Sequence, residues 1–122
     1  MDDYKGLDKG GFNDYQLFAE DTAIYKGKGD FPGLLYTVLG LANEAGEVAG
    51  KLKKLLRDWD GEITEESHFV EDVKAELGDV LWYLASVCSE LELDLGDVAL
   101  ANLEKLYSRK ERGVLGGSGD KR

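Results

Sequence analysis

Apolar residues in this chain recur at three- and four-residue steps over long stretches, which is the period of one face of an α-helix. From about Leu34 to Asp58, the positions Val38, Leu41, Ala42, Ala45, Val48, Ala49, Leu52, Leu55 and Leu56 form one wide stripe. A second long helix is predicted from about Glu65 to Glu92, with the seam Val73, Leu77, Val80, Leu84, Val87 and Leu91. Two shorter helices flank these. Asn13 is the expected N-cap of one that runs to about Tyr25 with Tyr15, Phe18, Ala19 and Thr22 inward. Asp94 is the expected N-cap of another that carries Leu95, Val98, Leu103 and Leu106 to about Glu111. Lys26–Gly33 and the turn around Gly61 punctuate the pattern, and a single proline with few β-branched runs disfavours sheet. The prediction is an all-α, four-helix bundle in one domain, residues 1–112, opening on a loose arm over residues 1–12. Residues 113–122 form a Gly-rich C-terminal tail, read as disordered by default, with ordering over a ligand as the alternative. The seam of the third helix is long for 122 residues, so part of it is expected to pack against another subunit.

Two segments on the long helices are versions of one another: Glu44-Ala-Gly-Glu47-Val and Glu76-Leu-Gly-Asp79-Val. Each puts two carboxylates one helical turn apart, where like charges repel unless a cation lies between them. Convergent hard oxygen donors suit Mg²⁺, or Mn²⁺ in its place, with positions left for water and phosphate. Glu47 and Glu76 are the candidates to activate the water. The stripe of the first pair continues through Lys51 and Lys54, and that of the second through Tyr83; Asn102, Lys105 and Arg109 repeat the spacing on the last helix. Two acidic stripes and one cationic stripe are expected to line one cavity, with the cations on phosphates and Tyr83 and Asn102 on the nucleoside. Trp82 reads as a packing residue. Gly40 is expected to leave room for a ligand one turn before Glu44, and Gly46, Gly50 and Gly78 to permit close helix approach.

The net charge of −10 argues against a duplex nucleic-acid partner. From Asp60 to Asp97 there are twelve acids and one base, Lys74, whereas the bases gather at Lys51–Arg57 and Lys105–Arg122, so a small polyphosphate fits better. One cysteine, Cys88, excludes an internal disulfide and favours a reduced compartment. No apolar run is long enough to span a bilayer, and a cytoplasmic location is expected. Glu65-Glu-Ser-His68 is half of a di-iron signature, but one histidine cannot complete it.

The run Leu39-Gly-Leu-Ala-Asn-Glu44-Ala-Gly-Glu47-Val, followed by Glu76-Leu-Gly-Asp79-Val-Leu-Trp-Tyr, resembles the MazG-like all-α nucleoside triphosphate pyrophosphohydrolases. Asn102-Leu-Glu-Lys105 and the closing Arg112–Asp120 are similar to the family as well. The resemblance implies hydrolysis of a (d)NTP between the α- and β-phosphates, giving the monophosphate and pyrophosphate, in nucleotide-pool control. It implies Mg²⁺ on Glu44, Glu47, Glu76 and Asp79, and a homo-oligomer, dimer or tetramer. One departure is Asn43, which stands where many members carry an additional glutamate. The alternatives are a non-catalytic nucleotide-binding or regulatory module of the same fold, and a hydrolase of a related or modified nucleotide.

Overall fold

The computed structural model describes residues 3–6 and 8–122. Among them a 3-10 turn at Asp3–Gly6 precedes α1 (Lys9–Asp21), α2 (Phe31–Trp59), α3 (Phe69–Glu90) and α4 (Leu95–Glu111), with no strand. The fold is all-α, as the periodicity predicts.

Helix α1 starts at Lys9 rather than after Asn13. Asp8 is its cap, accepting from the Gly11 amide at 3.4 Å, while the Asn13 side chain instead accepts from the Gly96 amide at 2.9 Å. The side chain read as a cap thus ties α1 to the start of α4. Tyr4, in the expected loose arm, stacks on Tyr107 with ring centroids 4.4 Å apart; at residues 1, 2 and 7 that expectation lies outside the described residues.

The connection between α1 and α2 turns on Gly27 and Gly29, both left-handed at φ 82° and 86°, where a side chain would be strained. Glu90, at the last turn of α3, fastens it: its carboxylate accepts from the Tyr25 hydroxyl at 2.6 Å and from the Gly29 amide at 3.1 Å. Pro32 then enters the first turn of α2, where its missing N–H costs nothing.

α2 and α3 run antiparallel as a long hairpin. Gly33 lies beside Glu90, Gly40 under the ring of Tyr83, and Lys51 beside Glu76, so positions ascend on one helix as they descend on the other. α1 packs on α3 and α4. The buried core is small: Ala19, Ala85, Cys88 and Leu95, with Tyr15, Trp82, Leu84 and Val98 packed around it. Buried Gln16 stitches it together, donating to Ser89 Oγ and the Leu93 carbonyl and accepting from the Leu95 amide.

This core departs from the expected seam. The small face Ala85-Ser86 and Cys88 admits α1, while Leu77 and Leu91 remain 53% and 50% exposed. On α2 only Leu55 of the predicted stripe is fully buried, and Leu52 and Leu56 are exposed. Gly46, Gly50 and Gly78 meet no heavy atom within 4 Å, so the close approach expected of them does not occur within this chain. It occurs at Gly40, where a Cβ would overlap the Tyr83 ring. The tail also has a conformation: the Arg122 guanidinium donates to the carbonyls of Val114, Leu115, Gly116 and Gly119, and Arg109 donates to the Asp120 carbonyl at 2.7 Å. No described helix is long and apolar enough to cross a membrane.

Candidate metal and phosphate site

Where α2 and α3 face each other at mid-length, one oxygen from each of Glu44, Glu76 and Asp79 lies within 4.8 Å of the others. The antiparallel hairpin causes this: Glu44 comes from one wall, and Glu76 and Asp79 follow one another a turn apart on the other. Glu44 and Glu76 are half-buried and Asp79 is exposed. The Glu44 carboxyl is held above the usual carboxylate range by burial first, then by its hydrogen bond to Glu76 and the charges of Asp79, Glu76 and Glu47. Three hard oxygen donors forced together at this cost fit a divalent cation, which exchanges mutual repulsion for coordination. Glu47 is not part of the convergent trio; it is exposed one turn further along α2 and reaches Glu44 only through its field.

Lys51 is the cation at the trio, with Nζ 3.9 Å from Glu76. It also lines, with Lys54, a cavity of about 250 Å³ between the C-terminal half of α2 and the start of α3, walled by Asp58, Trp59, Phe69 and Asp72. On the other side of the carboxylates lies an aromatic group. Tyr83 covers Gly40, so the space expected for a ligand there is filled by its ring. Its hydroxyl is 3.5 Å from that of Tyr36, and this hydrogen bond, with burial, pushes the Tyr83 phenol up to about 12. Tyr25 stacks on Tyr36 at 5.2 Å, and Trp82 meets Tyr83 edge-on at 5.0 Å. Trp82 Nε1 donates to Thr22 Oγ1 at 2.8 Å, which is the packing role read from the sequence.

The expected single cavity does not bring in α4. That helix packs on α1 and the N-terminal 3-10 turn rather than along the α2–α3 groove. Asn102 is exposed, Lys105 lies 3.9 Å from Asp120, and Arg109 is buried with its NH2 nitrogen on Asp120 and its Nε without a partner. Within one chain, then, the cationic stripe is occupied by the tail. Tyr36 is the site residue the sequence reading missed; it lies two turns before Glu44 on the stripe 36, 40, 44, and that spacing was the available signal.

The MazG nucleotide pyrophosphohydrolase domain matches residues 34–114, a span that holds both carboxylate pairs. The chain belongs to the MazG nucleotide pyrophosphohydrolase family. The chain is also 54% identical over 111 residues to the gene 37 protein of Mycobacterium phage L5, across 88% of this chain and 96% of that protein. That relative's name assigns no activity. No solved structure matches the chain. The MazG match opens in the first turn of α2, so α1, which supplies much of the core around α3, lies outside it.

Proposed function

We propose that this MazG domain is a Mg²⁺-dependent nucleoside triphosphate pyrophosphohydrolase that cleaves a (d)NTP between the α- and β-phosphates. The observation that carries the reading is the convergence of Glu44, Glu76 and Asp79 across the α2–α3 groove in a chain of this family. Glu44, Glu76 and Asp79 would hold Mg²⁺ or Mn²⁺, which when bound polarises the phosphate and neutralises charge on its oxygens. Glu47, beside the trio and outside it, takes the proton as a water oxygen adds to the α-phosphorus; the bond to the bridging oxygen breaks, and pyrophosphate leaves with the electron pair. Glu76 is the other candidate for that proton. Lys51 and Lys54 offset the negative charge that accumulates on the leaving group.

The same reading takes the active form to be a homo-oligomer in the cytoplasm. The support is the apolar surface left on α2 by Leu35, Leu39, Leu52 and Leu56, which a second copy buries. A second copy also gives Asn102, Lys105 and Arg109 a route to a nucleotide, since within one chain they are remote from the carboxylates.

The test is product analysis by ion exchange after incubation with each common NTP and dNTP, with Mg²⁺ or with chelator. Monophosphate and stoichiometric pyrophosphate without diphosphate, lost on chelation and in Glu47→Gln or Asp79→Asn variants of unchanged helicity, is the expected result. No turnover from folded protein refutes the reading and leaves a binding module or a modified-nucleotide hydrolase.

A further inference from the structure

The groove between α2 and α3 is chemically graded from end to end. Along α2 the order is Tyr36, Gly40 under Tyr83, Glu44, Lys51, Lys54; along α3 the facing order is Tyr83, Asp79, Glu76, Asp72. At a rise of 1.5 Å per residue, Tyr36 lies about 12 Å from Glu44 along the axis, and Lys54 about 15 Å from it on the other side. One end offers ring faces and phenol hydroxyls. The other is a cavity of about 250 Å³ bearing two ammonium groups.

We infer that the triphosphate lies lengthwise in this groove with a fixed polarity. The nucleoside sits toward Tyr36 and Tyr83, the reacting phosphorus at Glu44, Glu76 and Asp79, and the departing pyrophosphate in the Lys51–Lys54 cavity. This inference rests on the pyrophosphohydrolase reading above.

Charge is what selects the direction. In the reverse orientation the most highly charged part of the substrate meets aromatic rings and a phenol already held neutral, and a desolvated anion without a cation is costly. The apolar base then meets two ammonium groups. In the inferred orientation, Lys51 spans both regions: its Nζ is 3.9 Å from Glu76, and its side chain also lines the cavity. The carboxylates in the cavity do not cancel its cations. Asp58 is held by Arg57 through two hydrogen bonds of 2.7 and 2.8 Å, and its own acidity is raised chiefly by that guanidinium, leaving Asp72 against Lys51 and Lys54. The rings at the far end are organised as a shelf, since Tyr25 backs Tyr36 and leaves it 48% exposed.

The polarity separates the two products by site, and product inhibition reads it. The probes are inorganic pyrophosphate and the monophosphate of the fastest-hydrolysed nucleotide, each titrated against turnover in Mg²⁺ by wild type, Lys54→Ala and Tyr36→Ala. Lys54→Ala is expected to raise the inhibition constant of pyrophosphate fivefold or more and leave that of the monophosphate within twofold. Tyr36→Ala is expected to do the reverse. Lys54→Gln, which keeps most of the side chain's length, repeats the first result and separates lost charge from lost packing. Equal shifts for both probes, or shifts in the opposite sense, overturn the polarity while hydrolysis to monophosphate and pyrophosphate still stands. A wild-type protein that releases no pyrophosphate overturns the reading beneath it as well.

Discussion

Replacing Gly40 with alanine tests whether the Tyr83 contact fixes the spacing of the two carboxylate walls. The added Cβ would overlap three atoms of the Tyr83 ring, and that ring cannot turn away freely because Trp82 and Tyr36 flank it at 5.0 and 6.1 Å. Overpacking of this kind costs about 1–3 kcal/mol. Alanine offsets about 1 kcal/mol of that through helix propensity. The expected net loss is therefore up to about 2 kcal/mol, or a Tm lower by up to about 8 °C at roughly 4 °C per kcal/mol for a chain of this size. Activity is the sharper readout. Glu44 is one turn from Gly40, and displacing a reacting group by about 1 Å can cost on the order of a hundredfold. Thermal melts by circular dichroism and kcat/KM with Mg²⁺ measure the two effects. Introduced into Tyr83→Ala, where the overlap is gone, the same change should instead stabilise by about 1 kcal/mol. If Gly40→Ala alone is as active as wild type and melts higher, the contact does not govern the site and the argument fails.

Four further outcomes are expected. Glu44→Gln removes one charge from the crowded trio, so in chelator it should melt above wild type, by about 0.2–0.5 kcal/mol for each relieved contact, while turnover and the Mg²⁺-induced rise in Tm are both lost. Glu90→Ala strands the Tyr25 hydroxyl and the Gly29 amide; urea denaturation should report a loss of about 1–3 kcal/mol, and an unchanged midpoint would show that the carboxylate is not what holds the loop. The Tyr83 phenol is raised from 10.0 to about 12 by its bond to Tyr36 and by burial, so the stability it contributes is complete below pH 10 and is lost as pH rises through about 12; absorbance titration should show one late tyrosine that disappears in Tyr83→Phe. Cys88 is buried and its thiol is pushed above the ordinary range by desolvation, so a disulfide reagent at pH 8 should label the native protein at least tenfold more slowly than the urea-unfolded one.

Much of this molecule was legible as pattern. The two long helices, the break at Lys26–Gly33 and the Asp94 cap follow from periodicity and local chemistry, which act over a few residues. The doubled carboxylate motif was legible for the same reason, since an i, i+3 pair defines a face whatever surrounds it. What a helical wheel does not contain is which helix faces which. Glu44, Glu76 and Asp79 meet because α2 and α3 are antiparallel neighbours, whereas Asn102, Lys105 and Arg109 share the right spacing on a helix that docks elsewhere. Asn13 was misread because a polar side chain before an apolar run can cap its own helix or another's first turn, and only tertiary structure decides. The α3 leucine seam was misjudged similarly. Close approach by α1 favours the small face of Ala85, Ser86 and Cys88 over the bulkier one.

The hairpin of α2 and α3 is fastened unevenly, and this gives the groove a stiff jaw and a free one. At the aromatic end, Glu90 holds the α1–α2 loop, the Gly27 carbonyl accepts from the Gly33 amide at 3.1 Å, and Tyr83 is wedged over Gly40. At the opposite end the helices are joined by the turn of residues 60–68 around a cavity, with few side chains bridging them. Opening by local fluctuation is cheapest where buried contacts are sparsest. The pair therefore behaves as tweezers hinged at the tyrosines, and the lysine end is the one that parts, so whatever occupies that end has the shorter way out.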